Sequence, residues 1–168
     1  MPVNDGRPDD VVRAYLDATG QPWEESTPGS FSVELPGERK LKTACSLAVR
    51  DYGLVVNAFV ARRPEENHDG VHRWLLERNA RLPGIAFATD HAGDIYLVAR
   101  LPLHAVTGDE LDRILGAILD TADSSFNTIL DMGFAESIRQ EWRWRLARGE
   151  STRNLAAFEH LRPGQAEP

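Results

Sequence analysis

The chain has a single cysteine, Cys45, among 168 residues. One thiol cannot close an internal disulfide, and it speaks against a zinc site built on cysteine pairs. Cys45 sits in the alternating stretch LKTACSLAV, in phase with Leu41, Leu47 and Val49. It reads as a small buried residue, the usual place of a free cysteine. No apolar run nears the roughly 20 residues that a membrane-spanning helix needs. The first ten residues, MPVNDGRPDD, hold no signal-peptide core, so the expected location is the cytoplasm. Positive charge is short as well, with a net charge of −7. That argues against a general nucleic-acid binder, because neutralising phosphates supplies most non-specific affinity. Lysine is nearly missing: Lys40 and Lys42 are the only two. There is no internal repeat, no low-complexity tract and no glycine-rich phosphate cradle.

What is there suits one soluble domain with a decorated terminus. Hydrophobic residues make up 42% and charged residues 27%, enough for a sizeable core. DDVVRAYLDATG places Val12, Tyr15, Leu16 and Thr19 at helical spacing, with Asp9 or Asp10 as cap and Gly20 as stop. QPWEESTPGS reads as a loop from which Trp23 tucks back on the core. Three strands follow. SFSVELPG alternates through Phe31, Val33 and Leu35. KLKTACSLAVR puts Leu41, Thr43, Cys45, Leu47 and Val49 on one face. Its other face, Lys42, Ala44, Ser46, Ala48 and Arg50, is small in the middle and suits a closely packed helix or a partner. GLVVNAFVARR is apolar on both faces and therefore central.

A helix over HDGVHRWLLERNARLPG comes next, with Val71, Trp74, Leu75 and Leu82 on its apolar side. IAFATDHAGDIYLVARLPL is a hairpin turning on Asp90-His91-Ala92-Gly93. Thr107 and Glu110 form a capping box that opens a helix through Leu111, Ile114, Leu115, Ile118, Ala122, Phe126, Ile129 and Leu130. Continued to Arg148 it would run roughly 60 Å at about 1.5 Å per residue, so a break is expected near Gly133. TRNLAAFEHL reads as a short helix capped by Ser151. The expected fold is α+β: a mostly antiparallel five-stranded sheet in the order α-β-β-β-α-β-β-α, with flanking helices and a C-terminal helical extension. The expected boundaries are a flexible lead at 1–8, the domain at 9–130, the extension at 131–162 and a disordered tail at 163–168.

Chemistry-bearing clusters are sparse. His68 and His72 stand four apart, and the acid after His68 resembles part of a metalloprotease pattern. A metal-dependent hydrolase is the alternative this opens. Asp69 is not the usual Glu, His68 falls at a helix cap, and no third ligand is evident, so a solvated helix start is the preferred reading. Asp90 and His91 serve a turn. Asp109, Glu110 and Asp112 suit a helix N-terminus. Ser124 and Ser125 lack a nearby base. No set of nucleophile, base and oxyanion donors assembles, so the expectation is no enzyme, no catalytic residue, no metal and no cofactor.

EWRWRLARGE, residues 141–150, is the most distinctive stretch. At about 100° per residue, Ile138, Trp142 and Leu146 share one face, and Trp144 points away with Gln140 and Arg148. Arg148 can then lie over the Trp144 indole, and Glu141 can pair with Arg145. Tryptophan and arginine are the residues that dominate protein contacts. Trp142, Arg143, Trp144, Arg145 and Arg148 are therefore the candidate contact residues for a dimer or a partner. Nucleic acid is disfavoured, because the two indoles do not share a face.

The order of elements, with LAVRDYGLVVNAFV, WLLERNARLPGIAFATDHAGDIYLVARLPL and GDELDRILGAILDTAD filling it, resembles the YbjN-type family, named for a proposed role in bacterial sensory transduction. The resemblance spans roughly residues 9–130, and GFAESIRQEWRWRLARGES is similar to an extension in actinobacterial members. It implies a fold shared with type III secretion chaperones and a small, dimeric, non-enzymatic cytoplasmic protein. It offers no catalytic residues to carry over. The function expected is a protein-binding module with a regulatory or chaperone-like role, acting as a homodimer on a protein partner. A small-molecule sensor is a further alternative.

Overall fold

The structure is a computed structural model and describes residues 6–164. The expected lead and tail fall mostly outside that range. Where the lead is described, Pro8 already opens the first helix, α1 (Pro8–Thr19). The helix is not capped by Asp9 or Asp10, as the sequence suggested. Arg7 takes the cap position and proline the first turn, where its missing N–H costs nothing. Both aspartates lie inside that turn, and Asp10 bonds Arg13 at 2.6 Å. Gly20 ends α1 at φ 69°.

The sheet has six strands rather than five. The added one is β1 (Trp23–Thr27), in the stretch read as a loop. It pairs antiparallel with β2 (Ser30–Pro36), with Trp23 opposite Val33 and Glu25 opposite Phe31. Sequence pattern missed it because its only apolar residue is Trp23; the rest is polar, as suits an exposed edge. Two things hold it. Glu25 takes a forked pair of bonds from Arg13 of α1, at 2.7 and 2.9 Å, and a third from the Gly29 N–H at 2.9 Å. Gly29 turns at φ 76°, and a Cβ there would stand 3.3 Å from the Val49 carbonyl oxygen. Arg13 first, and the Gly29 N–H second, draw the Glu25 carboxyl down to about 2.

From β2 the chain continues through β3 (Lys42–Arg50), β4 (Gly53–Ala61), α2 (His68–Asn79), β5 (Ala86–Thr89) and β6 (Ile95–Leu101). The sheet order is β1-β2-β3-β4-β6-β5, and each neighbouring pair is antiparallel. β4 is central, as its two-sided apolar pattern foretold. Leu41 is not in phase with Cys45. It precedes β3 and is 77% exposed. The second helix stops at Asn79, short of Leu82. The β5–β6 hairpin turns as expected, with Asp90 Oδ1 accepting from the N–H groups of Ala92 and Asp94 at 2.9 and 3.0 Å.

Helix α3 (Gly108–Gly133) begins at Thr107, whose hydroxyl accepts from the Glu110 N–H at 3.2 Å. The return half of the expected box is not made: the Glu110 carboxylate pairs with Arg113 instead. Its stripe of Leu111, Ile114, Leu115, Ile118, Ala122 and Ile129 joins Val12 and Leu16 of α1 and Val71 and Leu75 of α2 in one core. The sheet contributes the row Val33, Cys45, Ala58, Leu97 and Phe87 and its in-phase neighbours. All three helices therefore cover the same sheet face. Among the described residues nothing covers the opposite face, along which run the registered residues Ser32, Ser46, Asn57, Val98 and Ala86.

Asp123 of α3 ties the β2–β3 turn to the helix layer. Its Oδ1 accepts from the backbone N–H groups of Glu38, Arg39 and Lys40, at 2.9, 2.8 and 3.0 Å. Burial works to raise this carboxyl, but the three donors outweigh it and hold it below the ordinary aspartate range. A carboxyl depressed in the folded state stabilises the fold above its unfolded pKa, about 3.9. That contribution fades as pH falls through the lower, folded value. We expect Asp123→Ala to lose about 1–2 kcal/mol in urea unfolding at pH 7, at the low end for three bonds because the site is partly solvated. In Asp123→Asn, stability should fall less steeply than in wild type between pH 5 and pH 2. An equal slope would show that Asp123 contributes no titrating stabilisation.

Candidate protein-binding site

The candidate contact residues lie on α4 (Ala135–Arg148). α3 and α4 are separated at Phe134, whose φ of −140° breaks the helix next to Gly133. The break has a visible cause. A Cβ on Gly133 would stand 2.9 Å from the Pro64 side chain, so the loop after β4 packs directly on the helix end. That loop then grips the junction. The N–H groups of Glu65 and Glu66 donate to the Gly133 carbonyl at 2.9 and 3.2 Å. The Glu66 carboxylate accepts from the Glu136 N–H at 2.8 Å, and Glu65 bonds the Ser137 hydroxyl. Acids at the start of α4 also suit its dipole. The extension thus leaves the body in a fixed direction.

Beyond the junction a second, smaller core forms. Phe134 at the break and Ile138 and Trp142 of α4 pack with Leu155, Phe158 and Leu161. These last three come from a 3₁₀ segment, Arg153–Leu161, kinked at Phe158. The sequence suggested a helix capped by Ser151. Thr152 takes the cap position without a side-chain bond, while the Ser151 hydroxyl accepts from the Arg153 N–H at 3.4 Å. Trp142 is 1% exposed, and its indole N–H donates to the Phe158 carbonyl at 3.0 Å. Leu146 was expected to continue this stripe but is 42% exposed. The last turn of α4 runs past the 3₁₀ cover, and Gly149 ends the helix in the left-handed region at φ 66°.

The remaining candidates divide. Arg143 bonds Glu136 at 2.7 Å. Arg145 pairs with Glu141, the expected i,i+4 partner, at 2.5 Å and donates to the Ser151 carbonyl at 2.9 Å. Trp144 faces outward and is 44% exposed. The Arg148 guanidinium lies over its ring at 4.6 Å, as the helical phase predicted, with Arg145 farther off at 6.0 Å. Among the described residues no carboxylate forms a salt bridge with Arg148. Trp142 is thus covered by its own chain, and Trp144 with Arg148 forms the outward part of the set.

The open sheet face holds a second feature that sequence reasoning touched only at β3. A shallow trough of about 530 Å³ lies across β1–β4 and β6, with Ala44 and Ser46 in its floor and Phe59 and Tyr96 beside it. The Trp23 ring is on the other face, packed on the core as expected, with its N–H on Asp17 at 3.1 Å. Phe59 and Tyr96 are register partners whose rings meet edge to face at 5.5 Å. The signal was available in the sequence as two aromatics in phase with the small face of β3, but only strand order brings them together. Of the histidines weighed as ligands, His68 has Nε2 2.6 Å from the Pro64 carbonyl oxygen. Among the described residues no group of three or more His, Cys, Asp or Glu side chains is placed to hold a metal. None of the described helices is long and apolar enough to cross a membrane. Burial lifts the Cys45 thiol to about 12, far from the thiolate that nucleophilic chemistry needs.

The family model for YbjN, described as "Putative bacterial sensory transduction regulator", matches residues 8–131. The chain belongs to the YbjN family. Uncharacterized proteins of Mycobacterium tuberculosis and Mycobacterium bovis are 53% identical to it over 150 residues, covering 89% of this chain and 82% of theirs. One from Mycobacterium leprae is 54% identical over 129 residues, covering 77% of this chain and 70% of its own. Among solved structures, a chain of the ExsC–ExsE complex matches with a TM-score of 0.54 at 18% identity, covering 72% of this chain and 92% of that one. The Yersinia pestis type III secretion chaperone SycH, in complex with a fragment of YscM2, matches with a TM-score of 0.50 at 17% identity, covering 68% and 96%. At such identities the likeness is one of fold. The YbjN match ends at residue 131, just before the Gly133 junction, so the α4 extension lies beyond it.

The two tryptophans give a direct test of this division. Trp142→Ala removes a buried aromatic and should cost about 3–5 kcal/mol of stability, or melt the extension as a separate early transition. Measured at chain concentrations too low for two copies to associate, Trp144→Ala should stay within about 0.5 kcal/mol of wild type. Thermal and urea unfolding would show it, and equal losses at both positions would contradict the assignment.

Proposed function

We propose that this YbjN-family chain is a non-catalytic protein-binding module with a regulatory or chaperone-like role, acting in the cytoplasm as a homodimer that engages a further protein. The observation that carries the reading is Trp144. It is a large apolar ring held on the surface beneath an arginine, beside a tryptophan and two arginines that the chain uses internally. Exposed Trp and Arg in a packed setting are what binding hot spots are made of. The fold shared with ExsC–ExsE and SycH supports the same direction, since both structures are of complexes with another protein. No cofactor is needed for such a role.

Two measurements test it. Light scattering after gel filtration should give twice the chain mass at high concentration; a strict monomer removes the homodimer. Affinity capture with wild type and with Trp144→Ala, Arg148→Ala should recover different proteins. If both recover the same set, Trp144 and Arg148 are not the contact.

A further inference from the structure

The open sheet face and the tip of α4 are complementary in shape and charge. The trough has a floor of Ala44 and Ser46, an aromatic wall of Phe59 and Tyr96, and acids at its β1–β2 side, Glu24 and Glu34. Small floor residues let a large side chain approach the strands. Glu24 has no salt-bridge partner among the described residues. Glu34 is paired with Lys42 at 2.8 Å, and the Lys40 ammonium sits 5.6 Å from the Phe59 ring at the sheet end, where burial lowers its pKa.

The α4 tip has the opposite chemistry: an exposed indole with an arginine stacked on it. Charge divides the same way along the chain. Residues 135–162 hold six arginines and four glutamates, net +2, which leaves −9 on the rest of a chain whose total is −7. Among the described residues, Trp144 is the tryptophan left most open, and the trough is an aromatic-walled depression on the uncovered sheet face.

We propose that a second copy of this chain covers the open sheet face: the Trp144–Arg148 tip of each α4 sits in the partner copy's trough, with Arg148 toward Glu24 and Glu34. The exchange is reciprocal, so it closes as a two-fold dimer and not as an open chain. It rests on the reading of Trp144 as a protein contact and names the occupant as the chain itself.

The test is a complementation pair, which also controls for folding. One variant carries Arg148→Glu, the other Glu24→Arg with Glu34→Arg. In homodimers of either variant, both contacts set like charge against like. In the mixed dimer, the acid introduced by Arg148→Glu meets the arginines introduced by Glu24→Arg and Glu34→Arg. The unaltered Arg148 of the second variant meets the unaltered glutamates of the first. The expected result is a dimeric wild type, two monomeric variants with unchanged circular dichroism, and a dimer restored on mixing. Raising the salt should weaken the restored dimer, since exposed charge pairs are screened. The proposal is overturned by a monomeric wild type, by variants that stay dimeric alone, or by folded monomers that fail to pair when mixed. If a charge variant proves unfolded, Trp144→Ala takes its place, and a dimer that survives Trp144→Ala overturns the proposal equally. A monomeric wild type whose captured proteins still depend on Trp144 would sink this exchange and leave the protein-contact reading standing.

Discussion

The packing of α3 on the sheet is the constraint on which the other parts rest. Its 26 residues run about 39 Å at about 1.5 Å per residue, long enough to touch every layer of the molecule. The stripe from Leu111 to Ile129 covers the centre of the sheet. Each fully buried Leu or Ile there is worth about 1.5–3 kcal/mol, so the helix is the largest continuous contributor to the core. Its polar positions are used as well. Asp112 accepts from the Tyr15 hydroxyl at 3.1 Å and so meets α1, and Asp123 gathers three backbone donors of the β2–β3 turn. The face that contributes the core and the edges that hold the turns belong to one rigid element.

The end of α3 sets the course of the extension. Gly133 admits the Pro64 side chain because it has no Cβ of its own, and that contact lets Glu65 and Glu66 reach the first turn of α4. A larger residue at 133 would push the loop away and release the angle between body and extension. His160 adds a second tie, meeting Asp131 of α3 at 2.5 Å from the 3₁₀ segment. The small core around Trp142 adds a third tie: its six buried apolar side chains pack α4 on the 3₁₀ segment that His160 links back to α3. The exposure of Trp144 is therefore a fixed geometry and not the result of a helix free to swing.

Most of the fold was legible in the sequence where local pattern and burial agree. The alternation in β2 to β4, the Asp90–Gly93 hairpin, the Thr107 cap and the break near Gly133 all follow from it. Element ends were less legible: Leu41 and Leu146 continue an apolar pattern that the tertiary cover does not, and Leu82 reaches the core from beyond the end of its helix. β1 was illegible for a different reason: its stability comes from Arg13, on a separate element, and its own composition is that of a solvated edge. The candidate site shows the same division. Helical phase alone separates Trp142 from Trp144 and places Arg148 over the indole. It cannot say that a 3₁₀ segment covers Trp142 or that Arg143 finds Glu136 two turns back. The trough was the least visible, because Phe59 and Tyr96 become neighbours only through the β4–β6 register.

A sheet with one bare face has to be stable in water, and the proposed contact asks that it also be receptive; the composition of that face suits both conditions. Antiparallel sheets tolerate a solvated face when it is polar. Here the middle row, Ser32, Ser46 and Asn57, is polar and short, which keeps the apolar area below what an isolated surface would expose at the cost of aggregation. The aromatic residues are confined to one margin, where Phe59 and Tyr96 shield each other edge to face. Large aliphatic side chains across the whole face would have demanded a permanent cover. Long charged ones would have kept any partner at a distance. Alanine and serine do neither: they expose little apolar surface, yet they let an incoming side chain come within van der Waals reach of the strands. In the proposed dimer the net affinity of such a face comes from the incoming group, and the exposed Trp144 of the other copy is that group.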